Sequence, residues 1–271
     1  MFIGWIRKKT FYDDLAQMAS NITIDINLLK QTFEEDQSLA FGAYEKDKLV
    51  AIITAFSFEN SILINNFYYL KDISDDILKR IIKVLISNIH DDKKSIMIMA
   101  SIKEQDIFKE LGFKKYANFK KAVHSGGAVA FNFSNATAKS ISNPNYLTTL
   151  KKLDNDTFKY DRYEYITQII AKQSSLILST NFGYQHSYAI NKNIVKISPW
   201  IMVDEAFSDS EKLMRGVLYH RGLKTVVAFI PKSVKEIVDL YKSYKFELIE
   251  DFALMYLNKK PSMNLASIYA F

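Results

Sequence analysis

Two periods alternate along the chain, and the switches between them mark out the elements. Between Asp75 and Ile89 the apolar residues are Ile77, Leu78, Ile81, Ile82, Leu85, Ile86 and Ile89. Spacings of three and four predict an amphipathic helix, with Ser74 or Asp75 as its N-cap. Tyr12–Ala19 and Leu28–Glu35 carry the same helical spacing. Phe2–Arg7, Leu39–Tyr44, Leu49–Phe58, Ser61–Leu70 and Ser95–Ala100 read as strands, with Glu45-Lys46-Asp47-Lys48 turning the second into the third. Glu104–Leu111 is a short helix closed by Gly112.

Asn, Ser, Thr and Pro144 crowd residues 132–151, which predicts a linker. A helix is expected over Asn155–Ala171. Strands then return at Ser175–Leu178, Tyr184–Ile190 and Asn193–Ile197, followed by helix Ser208–His220, strand Thr225–Ile230, helix Val234–Tyr244 and a strand near Phe252–Leu257. The halves echo each other. Ser95–Phe113 runs strand, helix, then Glu110-Leu111-Gly112-Phe113. Thr225–Phe246 runs strand, helix, then Ser243-Tyr244-Lys245-Phe246, about half a chain length later. A duplicated α/β unit accounts for this. The expected organisation is a first unit over 1–133, a linker and central helix over 134–174, and a second unit over 175–271.

Composition narrows the chemistry. Of 271 residues, 48% are apolar, enough for two cores. There is no cysteine, which removes disulfides, thiolate zinc sites and a Cys nucleophile together. That also suits a reducing compartment, so a cytoplasmic location is expected. The start, Met1 to Lys9, places its charges after a short apolar run, unlike a signal peptide. The longest apolar run, Leu49 to Phe56, is far short of the roughly 18 residues that span a bilayer. The net charge of +6 favours anionic partners such as phosphates and CoA. The lysines are scattered, without the dense basic block of a nucleic-acid surface. The four histidines, His90, His124, His186 and His220, show no metal-ligand spacing, so no metal is expected.

Phe108-Lys109-Glu110-Leu111-Gly112-Phe113 closes a strand, amphipathic helix, strand, short helix sequence. It resembles the aromatic-x-x-x-Gly-Phe segment near the end of GNAT N-acetyltransferase domains. Leu153-Asp154-x-x-x-Phe158-x-x-Asp161-Arg162 is similar to the central helix of the branch that carries two GNAT units in tandem. Phe182-Gly183-Tyr184 and Ile197-Ser198-Pro199-Trp200 resemble its second-unit strands, and Ile268-Tyr269-Ala270-Phe271 resembles its last strand.

The resemblance implies two mixed sheets flanked by helices and transfer of an acetyl group from acetyl-CoA to an amine, small-molecule or peptide. It implies a pantetheine arm along Asn66–Leu70, with Tyr68, Tyr69 and Leu70 as cofactor-binding residues, and a pyrophosphate at Ser74, Asp75, Asp76 and Ile77. Helix-start N–H groups and the helix dipole favour an anion there. Lys79 would offset phosphate charge, and Ser101 and Phe108 complete the implied cofactor set. The sequence departs from the family at this loop. Ser74, Asp76 and Leu78 stand where glycines are usual, and Asp75 and Asp76 repel a phosphate. The second unit, with Asp204-Glu205-Ala206-Phe207-Ser208-Asp209, has no glycine either.

Phe108 sits where many GNAT enzymes place a tyrosine that protonates the departing thiolate, and it reads first as a packing aromatic. Tyr241 keeps the hydroxyl in the second unit. Tyr69, His124 and Tyr241 are the candidate catalytic residues, each weighed against a packing role. Asp154, Asp161 and Arg162 read either as domain-joining salt bridges or as amine recognition. The alternative to an enzyme is a degenerate GNAT unit serving as an acyl-CoA-binding or interaction module.

Overall fold

The computed structural model describes residues 1–91, 93–127, 137–138 and 144–271, with backbone alone at 137–138 and 144–147. The first elements are β1 (Phe2–Trp5), α1 (Phe11–Ala19), α2 (Ile26–Glu35), β2 (Ala40–Glu45), β3 (Lys48–Ser57), β4 (Ser61–Tyr69), α3 (Asp75–Ser87), β5 (Ser95–Ser101), α4 (Ile102–Glu110) and β6 (Lys114–His124). There follow β7 (Thr137–Ala138), α5 (Pro144–Phe158), a π-helical segment (Tyr165–Ile170), β8 (Leu176–Thr180), β9 (Gly183–Ala189), β10 (Ile194–Met202) and α6 (Phe207–Arg221). The chain ends with β11 (Thr225–Pro231), α7 (Lys235–Ser243), β12 (Glu247–Leu257), a 3₁₀ turn (Leu265–Ser267) and β13 (Ile268–Ala270).

The chain forms two compact units. One comprises Met1–Tyr116 with Ala253–Pro261, the other Ala117–Phe252 with Ser262–Phe271. These divisions differ from the expected boundaries at 133/134 and 174/175 because strands, not loops, pass from one unit to the other. β6 leaves the first unit at Tyr116, and β12 enters it at Ala253. Half of the expected linker over 132–151 lies outside the described residues; of the rest, Thr137–Ala138 is strand and the chain from Pro144 on is helix.

In the first unit the sheet order is β1-β2-β3-β4-β5, then the end of β12. β1, β2, β3 and β4 pair antiparallel, and β4 pairs parallel with β5. The helical period of α3 puts Leu78, Ile81, Ile82 and Leu85 on one stripe, all fully buried against Phe41, Ile53, Ile64, Ile96 and Ile98. Each such side chain contributes about 1.5–3 kcal/mol. On the opposite sheet face, Phe11, Leu15 and Met18 of α1 and Leu29 and Phe33 of α2 cover Ala40, Tyr44, Leu49 and Ile52.

The second unit repeats the scheme. β8 and β9 pair antiparallel, as do β9 and β10, and β10 pairs parallel with β11. α6 and α7 cover one face around Trp200, Leu213, Val217 and Leu240, and Leu150 and Phe158 of α5 pack on Ile177, Tyr184 and Ile201 at the other.

One expected helix is two. Instead of a continuous Asn155–Ala171 helix, α5 ends at Phe158 and Lys159 takes a left-handed φ of 63°. The chain then folds back so that Arg162 Nε and Nη2 donate to both carboxylate oxygens of Asp154, at 2.9 and 2.8 Å. Tyr184 Oη donates to the same carboxylate at 2.8 Å, and Asp161 pairs with Lys151 instead. The Asp154–Arg162 pair is buried and structural, an arrangement that a straight helix would forbid.

Candidate active site

β4 and β5 run parallel in register only from Ser61↔Ser95 to Ile64↔Ile98. Beyond Ile64, β4 stays paired with β3 as far as Ala51↔Tyr69, while its ladder with β5 has ended. The strands therefore splay, and the end of β4 borders the gap.

The splay begins at a bulge. Thr54 pairs with Asn66 and Ala55 with Ile64, so Asn65 is the extra residue. A polar chain braces it. Asn65 Nδ2 donates to Thr32 Oγ1 on α2 at 2.8 Å, Thr54 Oγ1 donates to Asn65 Oδ1 at 2.9 Å, and Asn66 Nδ2 donates to Thr54 Oγ1 at 2.8 Å. Sequence reasoning passed over Thr32, Thr54 and Asn65, and took Asn66 only as the start of the arm-binding strand segment. The available signal was a polar pair interrupting an apolar strand, Ile62-Leu63-Ile64-Asn65-Asn66-Phe67.

Past the gap the chain enters α3. Ser74 is its N-cap by position, with extended backbone, but its side chain makes no capping bond, and Asp75 and Asp76 fill the first turn. The first amides of a helix have no intrahelical acceptor, so this end is open to an anion while its carboxylates oppose one. Lys79 is committed elsewhere, in an ion pair with Glu110 that raises its pKa.

Tyr68 and Tyr69, adjacent on an extended strand, face opposite ways. Tyr68 packs on the α1 and α2 side, where its hydroxyl accepts the Asp25 N–H at 3.2 Å. Tyr69 packs on the α3 side. Burial, then Glu104, raise its pKa, so the phenol stays protonated. Glu104 also accepts from Ser101 N and Ser101 Oγ, at 2.7 and 2.8 Å, in the capping box that opens α4. Lys103 lies 5.8 Å from the Tyr69 ring centre. Phe108 is fully buried, edge-on to Phe67 and Phe113 at 5.7 and 5.1 Å. It is a packing aromatic. The expected cofactor residues from Tyr68 to Phe108 thus all fall in the first unit, on β4, α3, the end of β5 and α4.

The second unit has the same splay. β10 pairs with β11 only from Ile194↔Thr225 to Lys196↔Val227, and a bulge at Ser198–Pro199 follows. Here the gap is filled. β13 pairs with β10 through Trp200↔Ala270 and Ile201↔Ile268, and Phe271 N donates to Phe229 O of β11 at 2.9 Å. Among the described strands none takes the corresponding place in the first unit.

Tyr241 and His124 belong to this second unit. Tyr241 is fully buried, and its hydroxyl donates to the carbonyl of Tyr269 in β13 at 3.0 Å. Burial pushes its pKa well up. A hydroxyl committed to the inserted strand cannot meet a thiolate in that gap. His124 ends β6 beside Phe246, ring centres 5.3 Å apart, and its Nδ1 accepts the Gly126 N–H at 3.3 Å. Burial, then Lys245, lower its pKa, so the ring is neutral.

Among the described residues no group of His, Asp or Glu has the makings of a metal site, and no helix is long and apolar enough to cross a membrane. No known family model matches the sequence, and no curated protein does. Solved structures do match. A protein from Pyrococcus horikoshii assigned as an acetyltransferase aligns with 100% of this chain and 93% of its own, at a TM-score of 0.79 and 18% identity. N-myristoyltransferase from Saccharomyces cerevisiae, with bound myristoyl-CoA, aligns with 99% of this chain and 84% of its own, at 0.59 and 11%. A tandem GNAT protein from the clavulanic acid biosynthesis pathway aligns with 82% of this chain and 83% of its own, at 0.55 and 8%. Identities this low speak for the fold alone, and on that the sheets, the two splays and the neighbours agree: this chain has the tandem GNAT acyl-CoA N-acyltransferase fold, one unit in each half.

Proposed function

We propose that the first unit binds an acyl-CoA, acetyl-CoA being the simplest, in the gap between β4 and β5, and passes the acyl group to a primary amine. The observation that carries this reading is the contrast between the splays: the first unit's is open on β4, whereas the second unit's holds β13. The end of β4, beyond its last pairing with β5, suits a pantetheine arm laid along it. The phosphates would then lie at the start of α3, near Ser74–Ile77.

In this reading the amine nitrogen attacks the thioester carbonyl carbon, the C–N bond forms and the C–S bond breaks. The proton lost by nitrogen balances the one gained by sulfur. The bulged strand aims a backbone N–H at the developing oxyanion, and the gap supplies proximity. Tyr69 lines the gap and supplies no proton, because its one O–H is bonded to Glu104 and burial with that carboxylate raises its pKa. His124 and Tyr241 are assigned packing roles.

The second reading is an acyl-CoA-binding or interaction module without catalysis. It is favoured by Phe108, which carries no hydroxyl, and by Ser74, Asp76 and Leu78 in place of glycines.

Calorimetry with acetyl-CoA on the parent and on a Ser74→Gly, Asp76→Gly variant tests the site. The expected outcome is weak binding by the parent and tighter binding by the variant, despite a helix cost of about 1 kcal/mol at Asp76. A ligand at 100 times its Kd adds about 2.7 kcal/mol of stability, which a thermal shift reads independently. No binding by either protein, or weaker binding by the variant, rejects the loop as the phosphate site. Thiol release with a panel of amines separates the enzyme from the binding module.

A further inference from the structure

A cavity of about 580 Å³ lies in the first unit away from the splay, lined by Trp5 and Ile6 at the end of β1, Lys8, Phe33 of α2, Gln37, Ser38, and Asn88 and His90 after α3. None of these residues belongs to the splay. Three observations define its chemistry.

The first is an exposed indole. Trp5 lies on the edge strand β1, paired to Phe41 of β2, and one face of its ring stacks on Phe41 with centroids 6.1 Å apart. The side chain is nonetheless 63% exposed, whereas Trp200 is 0% exposed. A large aromatic left open beside a concavity is the usual anchor of a bound ring.

The second is the charge of the lining. It carries Lys8 and His90 and no carboxylate. Of the acidic residues nearest along the chain, Asp36 is held by the lining residue Ser38, and Glu34 and Asp91 bond to residues outside the lining. Asp36 Oδ1 accepts from Ser38 N and Ser38 Oγ at 2.8 and 2.6 Å, Glu34 Oε1 accepts from Tyr12 Oη at 2.7 Å, and Asp91 Oδ1 accepts from Lys93 N at 3.0 Å. The last turn of α3, whose carbonyls would repel an anion, has Val84 O capped by Asn88 Nδ2 at 2.8 Å.

The third is size. The volume falls in the range of small-ligand sites, with the mixture of one apolar wall and a few polar side chains that such sites show.

We propose that this cavity binds a small planar aromatic anion, its ring stacked on the free face of Trp5 and its carboxylate or phosphate held by Lys8 and His90. The site is separate from the acyl-CoA gap, and its occupancy does not depend on whether the protein is an enzyme.

Tryptophan fluorescence tests it, because a dissolved ligand reaches Trp5 and not the buried Trp200. The probes are benzoate and adenosine monophosphate, each beside its uncharged counterpart, benzamide and adenosine. The expected result is saturable quenching by at least one anion, with the counterpart binding at least about ten-fold more weakly. Which anion binds distinguishes an aromatic acid from a nucleotide. In Trp5→Phe the quenching vanishes, which assigns the signal. Calorimetry on Trp5→Ala and Lys8→Ala should show binding weakened by about ten-fold or more, while unchanged Trp200 emission reports an intact fold. The proposal is overturned if neither anion gives saturation, if charged and uncharged probes bind alike, or if both alanine variants bind as the parent does.

Discussion

Arg162 and Asp154 form a two-pronged ion pair with each side chain 5% exposed or less, and Arg162 also lies over the Phe158 ring. Removing one partner strands a buried charge. Asp154→Ala should therefore cost about 3–5 kcal/mol, read as a shift of the urea midpoint. A second buried group gives the protein a pH dependence. His186 is fully buried between Ser175 Oγ and the Ser198 carbonyl, each 2.7 Å away. The carbonyl only accepts, so Nδ1 carries the proton and Nε2 accepts from Ser175. Burial lowers its pKa to about 4. Above pH 6.5 neither folded nor unfolded chain binds this proton. As pH falls below 6.5 the unfolded chain takes it up and the folded one does not until about 4, so stability is lost across that window. Between pH 7 and pH 5 the loss is about 2 kcal/mol. His124, also lowered, acts with the same sign. Denaturation of His186→Gln over this range should give a flatter profile than the parent, and parallel profiles would count against the assignment.

The ends of α4 and α7 show one structural solution reached with different residues. Phe113 N donates back to Phe108 O at 3.0 Å, and Phe246 N to Tyr241 O at 3.1 Å. Both turns need a left-handed residue before the phenylalanine. In α4 it is Gly112, at φ 88°; in α7 it is Lys245, at φ 61°. A side chain in that conformation costs about 1–2 kcal/mol, which glycine avoids. Lys245→Gly should stabilise the protein by about 1 kcal/mol and raise its Tm, whereas a fall in Tm would mean that the lysine makes contacts outweighing the strain. The same comparison explains what was legible at this scale. Helices α3 and α4 could be read from spacing and from Gly112. β6 could not, because Lys114, Lys115, Lys120 and Lys121 give it a polar surface, and Lys120 and Lys121 find their partners, Asp251 and Glu250, only in the far-off β12.

At the scale of the whole chain, the two units share a scheme but differ at the splay. Each unit has a bulged strand, a splay and a following helix, but in the second the last residues of the chain close the gap. Ile268, Tyr269 and Ala270 are buried there. β13 is therefore part of the second core, and Ile268→Ala should cost about 2–5 kcal/mol, measurable by denaturant unfolding. A change much smaller than that would show the strand to be loosely held and the gap available to a ligand.

The sequence by itself determined most of the elements and the repeat, because these rest on short-range periodicity and turn chemistry: the α3 stripe, the Gly112 cap, the matched Phe113 and Phe246; the fold was implied by the family resemblance of its motifs. The end of β4 and the start of α3 were legible too, since one runs directly into the other, and the resemblance proposed the cofactor site there. It did not determine which splay is open, what Arg162 pairs with, or that Asn65 is bulged and braced by Thr32. Those depend on residues brought together from distant parts of the chain: β13 against β10, Arg162 folded back on Asp154, α2 over β4. A pattern along the sequence records which face of an element is buried. It does not record what that face is buried against, and only packing in three dimensions decides it.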